Sequence, residues 1–380
     1  MTPAAWRPDD DELAALAAEH GARVAALDPL VAVPALGATA GDERLLAVRL
    51  PDGSRAAGLL GVGDVGPGSA AAGFRALREH RLRARAAGPD VGGAVRALVA
   101  AWTARVARDP GSAPAGDGLP ERGPAPRDHG LALLWPSRDV EAVGALAASG
   151  LRPTVHLAAR RGAPPARPRT DLPGVVLTDA GPDDVAAVVE HQRAELAYDE
   201  LVGAARVRPL AAEHLAAQVA AAVEHPRTTV LVARRQGPGE RTGEVVGVVA
   251  VEPPERSGAV AGTVTTGPVA YLVLLHVTGS ARGTGVGGAL VDAALARVHE
   301  QAGPGAVVVL HHGVLNPLSA PVGARPGFRP PRPTGEPPGG ARAAPPRGRA
   351  PRRARRPPAR GAPRRPRARR PPPGARAAPP

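Results

Sequence analysis

Ala270-Tyr271-Leu272-Val273-Leu274-Leu275-His276-Val277, followed by Arg282-Gly283-Thr284-Gly285-Val286-Gly287 and an apolar run to Gln301, decides how this chain folds. Eight residues rich in Leu and Val read as a buried strand, the glycines as a tight turn, and Val286 to Gln301 as a helix. Backbone N–H groups at such a helix start face outward without intrahelical partners, the helix dipole adds positive potential, and glycines let a pyrophosphate approach. The stretch is an anion cradle. Gly283-x-Gly285-x-x-Gly288 matches the dinucleotide fingerprint to the letter, but the next strand, Val307 to Leu310, ends in His311 where that fold needs an acid for the ribose. A P-loop is excluded because no Gly-Lys-Ser/Thr follows.

Outward from this stretch, strand-like and helix-period runs alternate over residues 1–330, which predicts an α/β (α+β) architecture. In the first part, Glu12 to Leu27 reads as a helix, and Arg44 to Leu50 with Arg55 to Val62 as a hairpin about Pro51-Asp52-Gly53-Ser54. Val91 to Val106 is a helix, Leu131 to Trp135 a strand, Ser137 to Ala148 a helix capped by Ser137, and Thr154 to Arg160 the closing strand. Residues 161–173 carry four prolines and read as a linker. Beyond it, Gly174 to Thr178 is a strand, a helix runs through Glu195, and Pro209 to His225 is a second helix. Thr229 to Arg234 and Glu244 to Val251 form a hairpin, and Ala306 to His311 a strand.

The two parts resemble each other in order. Gly88-Pro89-Asp90-Val91-Gly92-Gly93 aligns with Gly283-Thr284-Gly285-Val286-Gly287-Gly288, and Gly150-Leu151-Arg152-Pro153 with Gly327-Phe328-Arg329-Pro330. The expected organisation is two mixed-sheet domains, 1–160 and 174–330, with the second lacking closing strands: Thr154-Val155-His156-Leu157 follows the first Gly-Leu-Arg-Pro, whereas Pro331-Arg332-Pro333-Thr334 follows the second match.

The stretch from Val269 to Pro330 resembles the GNAT family of N-acetyltransferases, whose signature Arg/Gln-x-x-Gly-x-Gly/Ala stands here as Arg282-x-x-Gly285-x-Gly287. The preceding strand, the following helix and strand, Asn316-x-x-Ser319 and Gly327-Phe328-Arg329 come in the family's order, and the resemblance covers about residues 174–330. It implies that acetyl-CoA is the cosubstrate, held by Val277, Arg282, Gly283, Thr284, Gly285, Val286 and Gly287, with Asn316 and Ser319 along its pantetheine arm. A helix-cap role is the alternative for Asn316, since Pro317 suits a first helical turn. The first domain is similar more weakly and reads as a degenerate copy. Ala87 replaces the arginine, Pro89 removes an N–H, and Asp90 puts a carboxylate where pyrophosphate would sit.

Amine acetylation needs a base to keep the nucleophile neutral and an acid for the departing thiolate. In many relatives an acid stands where Val273 and Leu274 are, and a tyrosine near Val322-Gly323; both are absent. His276 is therefore the candidate catalytic base, with a packed or surface histidine as the alternative. His311 and His312 are adjacent on a strand and point to opposite faces, so no metal is assigned.

Composition bounds the rest. The 48 basic residues are all arginine, cysteine is absent and there is one asparagine, the mark of a G+C-rich coding sequence. Without cysteine there are no disulfides, thiolate metal sites or cysteine nucleophile. No apolar run approaches membrane length, and Met1 to Arg7 leads into Asp9-Asp10-Asp11, so a soluble, cytoplasmic chain is expected. Net charge is +13, but residues 331–380 hold 15 Arg, 16 Pro and one acid, which leaves the body at −1. That tail carries no large apolar side chain and is expected to be disordered. It reads as an out-of-frame segment of a G+C-rich gene or, in the alternative, as an arm for nucleic acid or another polyanion on a catalytically impaired binding module. The expected activity is acetyl transfer to a primary amine of a small molecule or peptide; the oligomeric state is not encoded legibly.

Overall fold

The computed structural model describes residues 4–108, 128–161, 172–236, 243–319 and Phe328. The expected tail, 331–380, and most of the expected linker lie outside the described residues. The first half runs β1 (Ala4–Ala5), α1 (Asp10–Leu27), β2 (Leu45–Arg49), β3 (Arg55–Asp64), β4 (Arg78–Ala87), α2 (Val91–Val106), β5 (His129–Leu133), α3 (Val140–Ala148) and β6 (Val155–Arg160). The second runs β7 (Val175–Asp179), α4 (Val185–Leu201), α5 (Pro209–Glu224), β8 (Thr229–Arg235), β9 (Glu244–Glu252), α6 (Gly258–Ala261), β10 (Val269–Val277), α7 (Val286–Ala302) and β11 (Val307–Gly313). Among the described residues no helix is long and apolar enough to cross a membrane.

Two mixed sheets result, β1-β2-β3-β4-β5 and β6-β11-β10-β9-β8-β7. Each contains a run of three antiparallel pairings followed by one parallel pairing, β4 with β5 and β10 with β11, and the second sheet adds a fourth antiparallel pairing beyond it. A helix, α2 or α7, makes each parallel crossover. The halves therefore repeat one topology.

One strand changes sheet. Thr154 to Arg160 is expected to close the first domain, but β6 pairs antiparallel with β11, from Arg160 opposite Val308 to Val155 opposite Gly313. Its side chains explain the choice: Ala158 joins the core under α7, while Leu157 and Ala159 join Leu30, Val264, Val307 and Val309 on the other face. The edge expected to lack closing strands is thus covered by a strand of the first half. Leu30 and Ala159 share one cluster with second-half residues, and Val31 bridges Val264, so the halves have a common core.

Three further differences have local causes. Strand β4, Arg-Glu-His-Arg-Leu-Arg-Ala-Arg-Ala-Ala, is too charged to be read as a strand, yet it is central, with Glu79, His80 and Arg85 buried. Arg85 is satisfied by the carbonyls of Ala84 and Pro34. Helix α3 begins after Asp139, not Ser137, because the Asp139 carboxylate accepts from Ala142 N–H and also takes Arg23 and Trp135. Helix α1 starts at Asp10 on a capping box of Asp9 and Glu12.

Candidate active site

The strand-turn-helix unit is held by packing on both faces of the second sheet. Val286, Leu290, Ala294 and Leu295 of α7 pack on one side, while α4 and α5 cover the other through Val188, Leu215 and Val219. Gly247 on β9 is where α7 comes closest: a methyl there would lie 2.9 Å from Leu290 Cδ1 and 3.1 Å from Val286 Cγ1. That contact fixes the start of α7 against the end of β10.

At this start, Gly283 (φ 81°) and Gly285 (φ 98°) adopt left-handed backbone, which side-chain-bearing residues adopt only under strain. Gly285 is the N-cap of α7 and no side chain caps it. Among the described residues none accepts from the N–H groups of Val286, Gly287 or Gly288. Arg282 Nε donates to the Val277 carbonyl (3.0 Å) and the Thr284 hydroxyl to that of Ala281 (2.7 Å), so both side chains brace the turn from within. The predicted cradle residues 282–287 thus come together as one acid-free helix start, with Arg282, Gly283 and Thr284 exposed, Gly285 and Gly287 half-buried and Val286 buried.

The first half differs at the same place. Asp90 caps α2, its carboxylate accepting from Gly93 N–H at 2.7 Å, and its own N–H donates to Ser54 Oγ at 2.8 Å. The protein's own anion satisfies a donor that a bound one would need.

Strands β10 and β11 pair only from Val269–Val307 to Leu272–Leu310 and then part. The split begins at a bulge, where the pairing with β9 shifts between Leu272 and Leu274. Backbone groups of 273–277 are thereby released from β11, with the cradle at one end of the opening.

Sequence reasoning missed the groups that α4 brings to this opening. The half-buried Glu195 carboxyl faces the Leu275 backbone and is pushed up to about 8, first by desolvation and then by the charge of Asp199; the Leu275 contact acts in the opposite direction. Asp199 is itself raised by desolvation, against Asn316 and His312, which favour its charge. The Tyr271 hydroxyl meets His311 Nδ1 at 3.0 Å and is pushed up to about 12 by desolvation, then by Glu252 and Glu195. A carboxylate on a helix lies far in sequence from the strand it serves, so no local spacing signals it.

His276 lies on β10 as expected but is tied to a partner. Its Nδ1 is 2.8 Å from Nδ1 of His191, whose Nε2 is 3.1 Å from the Val245 carbonyl. A carbonyl only accepts, so His191 carries its proton on Nε2 and accepts at Nδ1. His276 therefore donates from Nδ1 and keeps a lone pair on Nε2. Burial, then His191 and Arg282, bring its imidazole down to about 4.

Asn316 is engaged within the protein. Its Nδ2 donates to Asp199 Oδ1 (3.0 Å), and its Oδ1 accepts from the N–H groups of Leu318 (3.0 Å) and Ser319 (3.2 Å), closing a turn over its own backbone. The Ser319 hydroxyl donates back to the Asn316 carbonyl at 3.2 Å. His311 and His312 go to different partners, Tyr271 and His156. Among the described residues no group of three His, Asp or Glu side chains is placed to hold a metal.

The family model of the Acetyltransferase (GNAT) family matches residues 199–322, which contain this turn and the parting strands. Over these residues the chain matches the GNAT acetyltransferases. No curated protein matches the chain. Among solved structures, a GCN5-related N-acetyltransferase from Sphaerobacter thermophilus is 16% identical over 77% of this chain and 79% of its own, with a TM-score of 0.43. One from Kribbella flavida is 15% identical over 73% and 83%, with a TM-score of 0.34. A predicted acetyltransferase from Clostridium acetobutylicum, solved with acetyl-CoA, is 14% identical over 41% and 90%, with a TM-score of 0.30. The match supports acyltransferase chemistry in general terms.

Proposed function

We propose that the GNAT domain transfers an acetyl group from acetyl-CoA to a primary amine, with Glu195 as the general base. The observation that carries the reading is the uncapped, acid-free start of α7 beside strands that part after Leu272. The N–H groups of Val286, Gly287 and Gly288 and the turn from Arg282 would hold the pyrophosphate; Val277 and the released edge of β10 would flank the pantetheine arm. Bound there, acetyl-CoA supplies the activated acyl group as a thioester.

Proton handling falls to the groups at the opening. Glu195, with a proton affinity near working pH, is suited to accept a proton from an ammonium acceptor and leave the amine neutral for attack. Tyr271 keeps its hydroxyl proton throughout the physiological range and is a phenol one residue before the split, suited to donate. Asn316 keeps its Nδ2 partly committed to Asp199, so it would serve the arm only through its remaining N–H. His276 is the rival base: its Nε2 lone pair is free in the tautomer that the Val245 contact imposes, but its affinity near pH 4 makes it weak.

The chain has no cysteine, so a thiol reagent reads released CoA alone. With a panel of primary amines, Glu195→Gln should lower transfer by about 10²–10⁴-fold, and His276→Gln by far less. A full loss with His276→Gln and none with Glu195→Gln would reassign the base to His276.

A further inference from the structure

The half that lacks a cofactor turn reaches the acceptor side of the other half. Asp128, just before β5, is fixed to the first sheet: its carbonyl accepts from Arg78 N–H (3.0 Å) and its carboxylate from Leu77 N–H (3.2 Å). From the second half, Arg206 Nη1 donates to the same carboxylate at 2.9 Å, and Arg208 Nη2 at 2.9 and 2.7 Å. The Asp128 and Arg208 side chains are only 17% and 13% exposed, so solvent screens this pair little. Beside it, Arg206 N–H donates across the halves to the Gly73 carbonyl at 2.7 Å.

Arg206 and Arg208 belong to the α4–α5 connection, residues 202–208. This connection stands against the free end of β11. A methyl at Gly313 would lie 2.9 Å from Ala204 Cβ and 3.5 Å from Val202 Cγ2. It is also hung from Asp199, whose carbonyl accepts from Ala204 N–H at 2.8 Å and whose carboxylate holds Asn316. The first half meets the same end of β11 a second time, through His156 against His312.

We infer that Asp128 is a positioning residue: the degenerate half uses it to hold the α4–α5 connection, which walls the acceptor side of the GNAT cleft. What the wall faces rests on the acetyl-transfer reading; the clamp itself does not. Without the carboxylate, two guanidinium groups face each other at a junction with no anion between them. β10 and β11 run parallel, so this wall stands at the same end of the pair as the cradle, and its loosening is felt first by the acceptor side that it lines.

The full chain carrying Asp128→Asn, which keeps a carbonyl for Leu77 N–H, is compared with Asp128→Glu by hydrogen exchange, calorimetry with acetyl-CoA and the thiol assay on the amine panel. In the Asn variant, exchange over residues 202–208 should rise at least tenfold and the KM of the amine at least fivefold. The acetyl-CoA Kd should change less than the KM of the amine, and Glu should restore most of both effects. Unchanged exchange over 202–208 would overturn the clamp. A rise spread over β9 and β10, or a parallel loss of acetyl-CoA binding, would reduce Asp128 to a general stabilising residue and overturn the positioning role. If Asp128→Asn fails to fold, Arg206→Met with Arg208→Met removes the clamp from the other side under the same readouts. A wild-type chain that neither binds acetyl-CoA nor releases CoA would defeat the acetyl-transfer reading, and the exchange measurement would still decide the clamp.

Discussion

Asp90 and Gly285 occupy the same place in the two halves, and their chemistry separates the roles. A carboxylate on the N–H of Gly93 fills the first turn of α2, whereas Gly285 leaves that of α7 open. This contrast was legible in the sequence, because a turn before a helix is a local pattern and the substituted residues speak for themselves. The proton chemistry was not. Glu195 sits on α4, distant in sequence from the Leu275 backbone that it meets, and only the fold brings the two together. His276 was visible because it lies inside the signature strand; its partner His191 was not. Activity should therefore rise with pH through about 8, as Glu195 loses its proton, with no limb near the ordinary histidine range, since His276 is neutral well below it. A kcat/KM profile from pH 5 to 9.5 checks this. A single ascending limb near 6.5 would point to a histidine instead.

Strand β6 shows what element-level reading can and cannot reach. Its extent was legible from alternating Val155, Leu157 and Ala159, but its partner was not, because pairing between strands far apart in sequence leaves no local trace. Strand β4 escaped for the opposite reason: its arginines and Glu79 look solvent-facing, and their burial is compensated by carbonyls and ion pairs that only the fold provides. Since β6 already covers β11, the second sheet depends on the first half. Ala159→Arg would place an unpaired charge in the cluster of Leu30, Val264 and Val307, and should destabilise the protein by about 3 kcal/mol or more. Thermal unfolding should show one lowered transition for both halves. A second transition left at the wild-type temperature would show that the sheets fold independently.

Over the whole molecule, several buried groups link stability to pH. His20, against the Ala86 backbone, and His276 both fall from 6.5 to about 4, chiefly by desolvation, so the folded state binds fewer protons. Their contribution is present above 6.5 and is lost as pH falls towards 4. Asp139 is also lowered: desolvation opposes its charge, but Arg23 and Trp135 outweigh it, so its contribution disappears at more acidic pH. Glu195 acts with the opposite sign, favouring the fold below about 4.5 and losing that contribution as pH rises through about 8. The melting temperature should therefore peak near pH 6.5, falling as pH drops towards 4 and again as it rises to about 8, and Glu195→Gln should remove the second fall and steepen the first. The central claim is that this duplicated chain binds acetyl-CoA once, at the start of α7. Isothermal titration of the full chain should give one equivalent per chain, and Gly285→Asp, which sets a carboxylate against the pyrophosphate on a left-handed backbone, should weaken it by at least about 1 kcal/mol. Two equivalents per chain, or an affinity untouched by Gly285→Asp, would contradict it.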